Sequence, residues 1–200
     1  AHLPDMIPRQ RRIDATNLPD ARMRFAQAEH GFKRLTAAGY IPVGFDHFSL
    51  PGDSLAVAAQ DGLVNRNFQG FTEDNAPVLI GFGASAISRF PDLITQNEKK
   101  AGPYRDIVDG GGLAAVRGVA LDREQRRRAG YIRDLLCNGR AQIVAGEDAM
   151  VRRALIEFEQ RGLIGWDGID LVVQDCGLPY ARHVAAQFDI DACGRLVEEE

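Results

Sequence analysis

The sequence is poor in cysteine, and its few cysteines are widely spaced. It contains three, Cys137, Cys176 and Cys193. An odd and sparse set of this kind argues against a secreted scaffold held together by disulfides. It also lacks the close spacing of ligands that zinc and iron–sulfur sites require. The cysteines therefore predict no metal site within the chain.

Long apolar runs and an excess of positive charge are also missing. No stretch approaches the length needed to span a bilayer, and the start of the chain has no signal-peptide pattern. The net charge is −4, from 24 basic and 28 acidic residues, so no general affinity for polyanions is expected. These features predict a cytoplasmic protein with neither a membrane nor a nucleic acid as its partner.

The length and composition of the chain are typical of a folded globular protein. The 200 residues include 45% apolar and 26% charged side chains, enough for one large domain or two small ones. Three consecutive glycines at 110–112 make the backbone flexible and predict a boundary there. We therefore divide the chain into residues 1–112 and 113–200. The opening at Ala1, without an initiator methionine, hints at a fragment.

The first part has the pattern of an α/β unit. Proline-rich residues 4–19 predict an extended loop. A helix is expected after the N-cap Asp20, ending at Gly39 and followed by a strand at 40–45. Further predicted elements are a short helix from Asp53 or Ser54 to Gln60, a buried strand at 78–82, a glycine/serine turn at 83–86 and helical residues at 96–109.

The second part predicts helices, a hairpin and a closing helix. The helices are expected at 122–136 and 147–160, with a hairpin at 163–173 around Asp167-Gly168 and a last helix at 179–188. This order resembles a small winged-helix-like domain. Because the last helix carries one arginine and no lysine, it is expected to pack against its own protein rather than to read DNA.

Two adjacent polar residues follow the strand predicted at 40–45. Asp46 and His47 pair a carboxylate with an imidazole, which can move or orient a proton at the edge of an α/β sheet. The same pair can instead be a hydrogen-bonded closure of a loop, which is the commoner role of such a pair. Both interpretations remain open from the residues alone.

Two further segments could face a ligand. Asn67-Phe68-Gln69-Gly70-Phe71 places an amide between aromatic rings and beside a glycine, an arrangement that can bind a flat molecule or simply pack as a strand. Residues 81–86 (GFGASA) are small, so either a ligand or another chain segment lies close to the backbone. They form neither a phosphate-binding P-loop nor a hydrolase nucleophile elbow.

Several segments, in order along residues 1 to about 189, together resemble one enzyme family. The most distinctive is 66–72 (RNFQGFT), and the others include 1–4 (AHLP), 44–48 (GFDHF), 83–88 (GASAIS) and 96–97 (QN). They resemble the oxygen-independent coproporphyrinogen III oxidases of the radical S-adenosylmethionine (SAM) superfamily. The sequence departs from the family pattern at Phe45 and Phe71, where methionine and tyrosine are common. The resemblance implies that the chain is the C-terminal portion, the end of a radical SAM barrel followed by a winged-helix-like cover domain.

The resemblance also implies a reaction and its cofactors. The family removes hydrogen and carbon dioxide from two propionates of coproporphyrinogen III and leaves vinyl groups. It uses SAM, bound as two molecules, and a [4Fe–4S] cluster held by a CxxxCxxC motif. That motif does not occur in these 200 residues. The implied partners are thus coproporphyrinogen III and an N-terminal half that carries the cluster, and the chain alone is expected to be inactive.

The family's SAM contacts transfer to this chain where residues match. The resemblance implies that Ala1 and Ile87 contact one SAM molecule and that Phe68 and Gln69 line the second. A protein of another class remains as the alternative. It would be a non-catalytic tetrapyrrole or haem carrier, binding through His2, His30, His47 or His183, or a winged-helix interaction protein.

Overall fold

The computed structural model describes residues 2–144 and 148–189, and it divides into two compact units, Ala1–Ile41 and Pro42–Glu200. The first unit begins with two short 3-10 helices, Pro8–Arg12 and Ala15–Asn17. The prediction of an extended loop at 4–19 was therefore wrong in part. Proline is favourable in the first turn of a helix, and the Asp14 side chain accepts a hydrogen bond from the Thr16 amide to start the second turn.

Helix α1, Ala21–Ala37, completes the first unit and confirms its predicted ends. The Asp20 carboxylate accepts a hydrogen bond from the Met23 amide. At the other end the amide of Gly39, which has a φ of 88°, donates to the Thr36 carbonyl, and the next amide donates to the Leu35 carbonyl. This pairing is a Schellman cap. The helix contributes no buried residue.

The second unit opens with short elements connected by tight turns. Asp53 caps α2 as predicted, its carboxylate accepting from the Leu55 amide. Strands β1 and β2 pair with each other, β3 pairs antiparallel with β4, and β5, β6 and β7 form an antiparallel sheet in that order. The elements are β1 Ile41–Val43, β2 His47–Ser49, α2 Ser54–Gln60, β3 Asn65–Arg66, β4 Phe71–Thr72, β5 Ile87–Arg89, β6 Leu93–Asn97, α3 Ala101–Asp109 and β7 Ala115–Ala120.

Two predictions for this region need correction. The segment 78–82 is not a buried strand. Ile80 and Phe82 are 59% and 89% exposed, and its one bridge joins Leu79 to Arg89. An apolar run has the same composition whether or not neighbouring strands cover it, so composition alone could not reveal the exposure. Residues 96–97 belong to β6 rather than to a helix, whereas helical structure at 101–109 is confirmed.

The last part of the chain confirms the predicted order of elements. A capping box at Asp122 starts the first helix, and a two-residue turn at Gly168-Ile169, with a φ of 63° at the glycine, closes the hairpin. The last predicted helix is divided into a 3-10 helix, Asp175–Tyr180, and a short α-helix. The predicted start at Glu147 lies outside the described residues. The elements are α4 Arg123–Asn138, β8 Arg140–Gln142, α5 Asp148–Gln160, β9 Ile164–Asp167, β10 Asp170–Val173 and α6 Ala181–Ala186.

The main hydrophobic core lies in this last part. Antiparallel strands in the order β8, β10, β9 pack with α4, α5 and α6 around Leu135, Leu155, Leu171 and Val184, each at most 1% exposed. A second, smaller core contains Val43 and the Cys137 side chain. Burial of such side chains is the main stabilising term in folding.

The fold is mixed α/β, and the described residues form small sheets of two or three strands rather than a closed barrel. Strand β7 follows the glycine triplet but pairs with β6, which precedes it. Gly110 is the C-cap of α3, and Gly111 has a φ of 77°. The triplet therefore ends a helix, and a division at 112/113 stays a prediction.

Candidate functional site

The predicted acid–base pair consists of Asp46, the last residue of the loop after β1, and His47, the first residue of β2. The Oδ1 atom of Asp46 lies 2.7 Å from the Nδ1 atom of His47, and both side chains are 47% exposed. A carboxylate in this position favours the tautomer with a proton on Nδ1 and leaves Nε2 to accept or donate a proton. A Cβ atom placed on Gly70 would lie 3.5 Å from His47 Nε2. The Nε2 atom of His47 therefore faces the neighbouring hairpin that contains Gly70.

That hairpin, residues 65–72, presents the predicted SAM contacts at its tip. Asn67 shapes the turn: its side-chain oxygen accepts hydrogen bonds from the amides of Gln69 and Gly70, at 2.8 and 3.2 Å. The Asn67 amide in turn donates to the Gly70 carbonyl at 3.0 Å. Gly70 has a φ of 153°, a value that favours glycine. Phe68, which is 53% exposed, and Gln69 lie at the tip and are open to a ligand.

The two segments meet around the ring of Phe71. Its centroid lies 4.9 Å from that of His47 and 5.8 Å from that of Phe45, both edge to face. The Arg66 guanidinium lies 5.1 Å from the Phe71 centroid and 5.5 Å from the Phe45 centroid. Such contacts between cations and aromatic rings are attractive when the group lies within about 6 Å of the ring.

Glycine at position 44 makes this arrangement possible. A Cβ atom on Gly44 would lie 2.2 Å from the Phe71 Cζ atom, and its φ of 59° also favours glycine. The fold therefore joins the segments 44–48 and 66–72 through contacts between side chains that the sequence did not predict. Arg66, Phe45 and Phe71 all lie inside the segments quoted for the resemblance. The glycine at position 44 was the one local signal of a close approach.

The glycine-rich loop at 81–86 is held by the elements that follow it. The Asn97 side-chain amide donates to the carbonyls of Gly81 and Gly83, at 3.2 and 3.0 Å, and the Gly83 amide donates to the Tyr104 hydroxyl at 3.1 Å. A Cβ atom on Gly81 would lie 2.6 Å from the Ile87 carbonyl oxygen. Another segment of the chain, rather than a ligand, thus explains the small residue at Gly81.

The remaining predicted contacts occupy different places. Ile87 begins β5 and is partly buried, opposite Gln96 of β6. Strand β5 is joined to the hairpin because Arg89 donates from Nη1 to the Arg66 carbonyl at 3.4 Å. Ala1 lies outside the described residues.

The cysteines of the described residues differ in their surroundings. Cys137 is buried beside Val43, and burial raises the pKa of its thiol to about 11, against the opposing influence of the Arg133 and Arg66 charges. Such a thiol stays protonated at neutral pH and is a poor nucleophile or metal ligand. Cys176 is exposed, and Cys193 lies outside the described residues. Over 2–144 and 148–189, no group of three or more His, Cys, Asp or Glu residues could hold a metal ion.

A separate cavity of about 350 Å³ lies between α5 and the C-terminal helical segment. Its lining mixes apolar and charged groups, including Phe158, Leu163, Arg161 and Glu157, and His183 also lines it. His183 is the one predicted haem ligand that lines this cavity. No helix among the described residues is long and apolar enough to cross a membrane.

A comparison with solved structures identifies the class of protein to which this fold belongs. The chain superposes on a solved structure from Escherichia coli, titled as a coproporphyrinogen III oxidase that is a radical SAM enzyme, with a TM-score of 0.87 and 34% sequence identity. The match covers 94% of this chain and 46% of that one. The chain therefore has the fold of part of a radical SAM enzyme.

Relatives with a similar sequence identify a particular family within this class of protein. An oxygen-independent coproporphyrinogen III oxidase of Bradyrhizobium diazoefficiens is 38% identical over 198 residues, which cover 94% of this chain and 44% of that protein. The Pseudomonas aeruginosa enzyme of the same name is 37% identical, covering 98% of this chain and 41% of its own length. No protein-family model matches. The resemblance is confirmed: the chain is homologous to part of the oxygen-independent coproporphyrinogen III oxidases, and it spans less than half of their length.

Proposed function

We propose that this chain is the C-terminal portion of an oxygen-independent coproporphyrinogen III oxidase. In the complete enzyme, two propionates of coproporphyrinogen III would be oxidatively decarboxylated to vinyl groups. The homology covers 94% of the chain, which supports the proposal. The single observation that carries it is the 65–72 hairpin, which exposes Phe68 and Gln69 at its tip while Arg66 and Phe71 hold its base.

The hairpin residues suit a SAM site. The Phe68 ring can cover a flat or apolar part of SAM, and the Gln69 side chain can both donate and accept hydrogen bonds. Ile87 would supply an apolar contact from β5, and Ala1 would allow close approach of the backbone to a SAM molecule. When bound, SAM and the [4Fe–4S] cluster supply the radical chemistry, and the protein supplies position and excludes water.

The cluster ligands are proposed to lie in an N-terminal half outside these residues. The described residues offer only Cys137 and Cys176, and the high pKa of Cys137 disfavours the thiolate that iron requires. We also propose that the chain contains the end of the barrel and a winged-helix-like cover domain. The cover domain is supported by the element order α4, β8, α5, β9, β10, α6, in which a hairpin lies between the last two helices.

Asp46 and His47 are proposed to hold or move a proton at the Nε2 atom of His47. The 2.7 Å contact to Asp46 would keep the other ring nitrogen protonated. His47 lies against Phe71, so its ring orientation is linked to the hairpin that carries Phe68 and Gln69. The alternative, a hydrogen-bonded loop closure, predicts that His47→Gln retains turnover at every pH.

Substitution at the hairpin tip tests the proposed SAM site. The complete gene product that contains this chain would be purified without oxygen and its cluster reconstituted, and the KM for SAM would be measured. We expect Gln69→Ala to raise this KM by about tenfold, because loss of a hydrogen bond to a charged ligand costs about 1.5 kcal/mol. Gln60→Ala, at an exposed helix end, is the matched control and should leave the KM unchanged. Equal KM values for the two variants would contradict the assignment of Gln69.

A haem carrier is the second candidate, and the cavity beside His183 is the observation that favours it. Anaerobic titration with haem distinguishes the two functions. The oxidase predicts a featureless titration. A stoichiometric Soret shift that disappears in His183→Ala would favour the carrier.

A further inference from the structure

The Arg66 side chain is held by aromatic rings rather than by an acid. Its guanidinium lies within 5.5 Å of the centroids of both Phe45 and Phe71, and its Nη1 atom is buried without a hydrogen-bond partner. Among the described residues, no ion pair involves Arg66. Stacking is therefore the interaction that orients this side chain, and Arg66 immediately precedes the turn residue Asn67.

A second arginine reaches the ring of Phe45 from the far end of the chain. The Arg182 guanidinium, on α6, lies 5.7 Å from the Phe45 centroid. Helix α6 is well anchored, since Ala181 and Val184 are at most 1% exposed. Phe45 itself packs against the core around Leu135 and Val184. The ring of Phe45 thus lies between a fixed helix and the base of the 65–72 hairpin.

We propose that Arg182 is a positioning residue for the hairpin tip, acting through Phe45 and Arg66. The contacts run from α6 to Phe45, from Phe45 to the Arg66 guanidinium, and from Arg66 along the backbone to Phe68 and Gln69. The C-terminal region would then set the geometry of the SAM contacts without touching SAM. This inference rests on the proposed function of Phe68 and Gln69.

Removal of the Arg182 charge tests the inference in the complete, reconstituted protein. Arg182→Met keeps the length of the side chain and removes its cation. We expect the KM for SAM to rise about two- to fivefold, with kcat changed less, the fold-change that corresponds to losing one cation–aromatic contact. Arg182→Lys keeps the charge, although not the planar group, and should restore part of the loss.

The matched control is Arg152→Met. The Arg152 guanidinium lies 3.8 Å from the Trp166 centroid, so this variant also loses a cation–aromatic contact in the C-terminal region. None of the described contacts joins Arg152 to the hairpin. A KM for SAM that is equal in Arg182→Met and Arg152→Met would overturn the proposal, because a general loss of stability would then explain both.

Hydrogen exchange separates this inference from the proposed function. If wild type neither binds nor cleaves SAM, the proposed function fails, but the coupling of α6 to the hairpin can still be measured. The Gln69 and Gly70 amides bond to Asn67, and their exchange should accelerate about two- to fivefold in Arg182→Met and not in Arg152→Met. Unchanged exchange in Arg182→Met would overturn the coupling whatever the activity.

Discussion

The imidazole of His47 meets the ring of Phe71 edge to face, with the two centroids 4.9 Å apart. This contact joins two segments that are separate in sequence, the start of β2 and the hairpin 65–72. It places the pair proposed to hold or move a proton, Asp46 and His47, beside the residues proposed to contact SAM. Phe71 is consequently the residue on which the local arrangement depends most.

Truncation of Phe71 should destabilise the fold. Phe71→Ala removes the contacts with Phe45, His47 and Arg66, and we expect a loss of about 3 kcal/mol, the lower end of the range for a core phenylalanine, because the ring is only partly buried. Urea unfolding of the chain measures this loss. Phe82→Ala, at a side chain that is 89% exposed, should change stability by no more than about 0.5 kcal/mol. Similar losses in the two variants would refute the packing described for Phe71.

Alanine at Gly44 should be more harmful than alanine at another glycine of similar backbone conformation. Gly44 and Gly52 have φ values of 59° and 86°, but a Cβ atom would meet the Phe71 ring only at Gly44. We expect Gly52→Ala to cost about 1–2 kcal/mol for the backbone alone. Gly44→Ala should cost about 1–3 kcal/mol more because of the collision. The denaturant midpoints of unfolding of the two variants measure this difference. Equal losses of stability would show that Phe71 does not lie where the structure places it.

The protein should lose stability when a side chain of α5 that is buried in the main core is shortened. Leu155 is fully buried, whereas the next residue, Ile156, is 49% exposed. Leu155→Ala should lower the free energy of unfolding by about 2–5 kcal/mol. Ile156→Ala should lower it by about 0.5 kcal/mol. A larger effect at Ile156 than at Leu155 would mean that the side of α5 that carries Ile156 faces the core.

Stability should fall at alkaline pH through Cys137. Burial raises its pKa in the folded state to about 11 from 9.0, so the folded state keeps the proton while the unfolded chain releases it. The stabilisation is therefore fully present below pH 9 and is lost as the pH rises towards 11. Unfolding measured across this range should show a steeper decline for wild type than for Cys137→Ala. Parallel declines would contradict the burial of a neutral thiol.

Local signals in the sequence predicted much of the secondary structure. Asp122 was expected as the first residue of a helix, and the structure shows it as the cap. Asp20 was identified as a helix cap because a cap acts through the backbone of its own first turn. The hairpin at 163–173 was predicted for the same reason, since its turn residues set the pairing. Residues 78–82 were assigned wrongly because exposure depends on distant segments that the local pattern does not contain.

The candidate site was predictable in part. Phe68 and Gln69 were singled out through the resemblance, and the structure places both at the tip of a turn, although their role stays a prediction. Two sets of contacts join residues that are far apart in the chain. Arg66 stacks on Phe45 and Phe71, and Arg182 approaches the Phe45 ring. No spacing rule identifies such contacts, because each depends on how β1, β3, β4 and α6 pack together.

The mass of the porphyrinogen product tests the proposed function most directly. The complete gene product that contains this chain would be incubated without oxygen with coproporphyrinogen III, SAM and an electron donor. We predict that two propionates become vinyl groups, and that this conversion requires SAM and is slowed by Gln69→Ala but not by Gln60→Ala. An unchanged substrate, from protein that has an intact cluster and binds SAM, would contradict the proposed function.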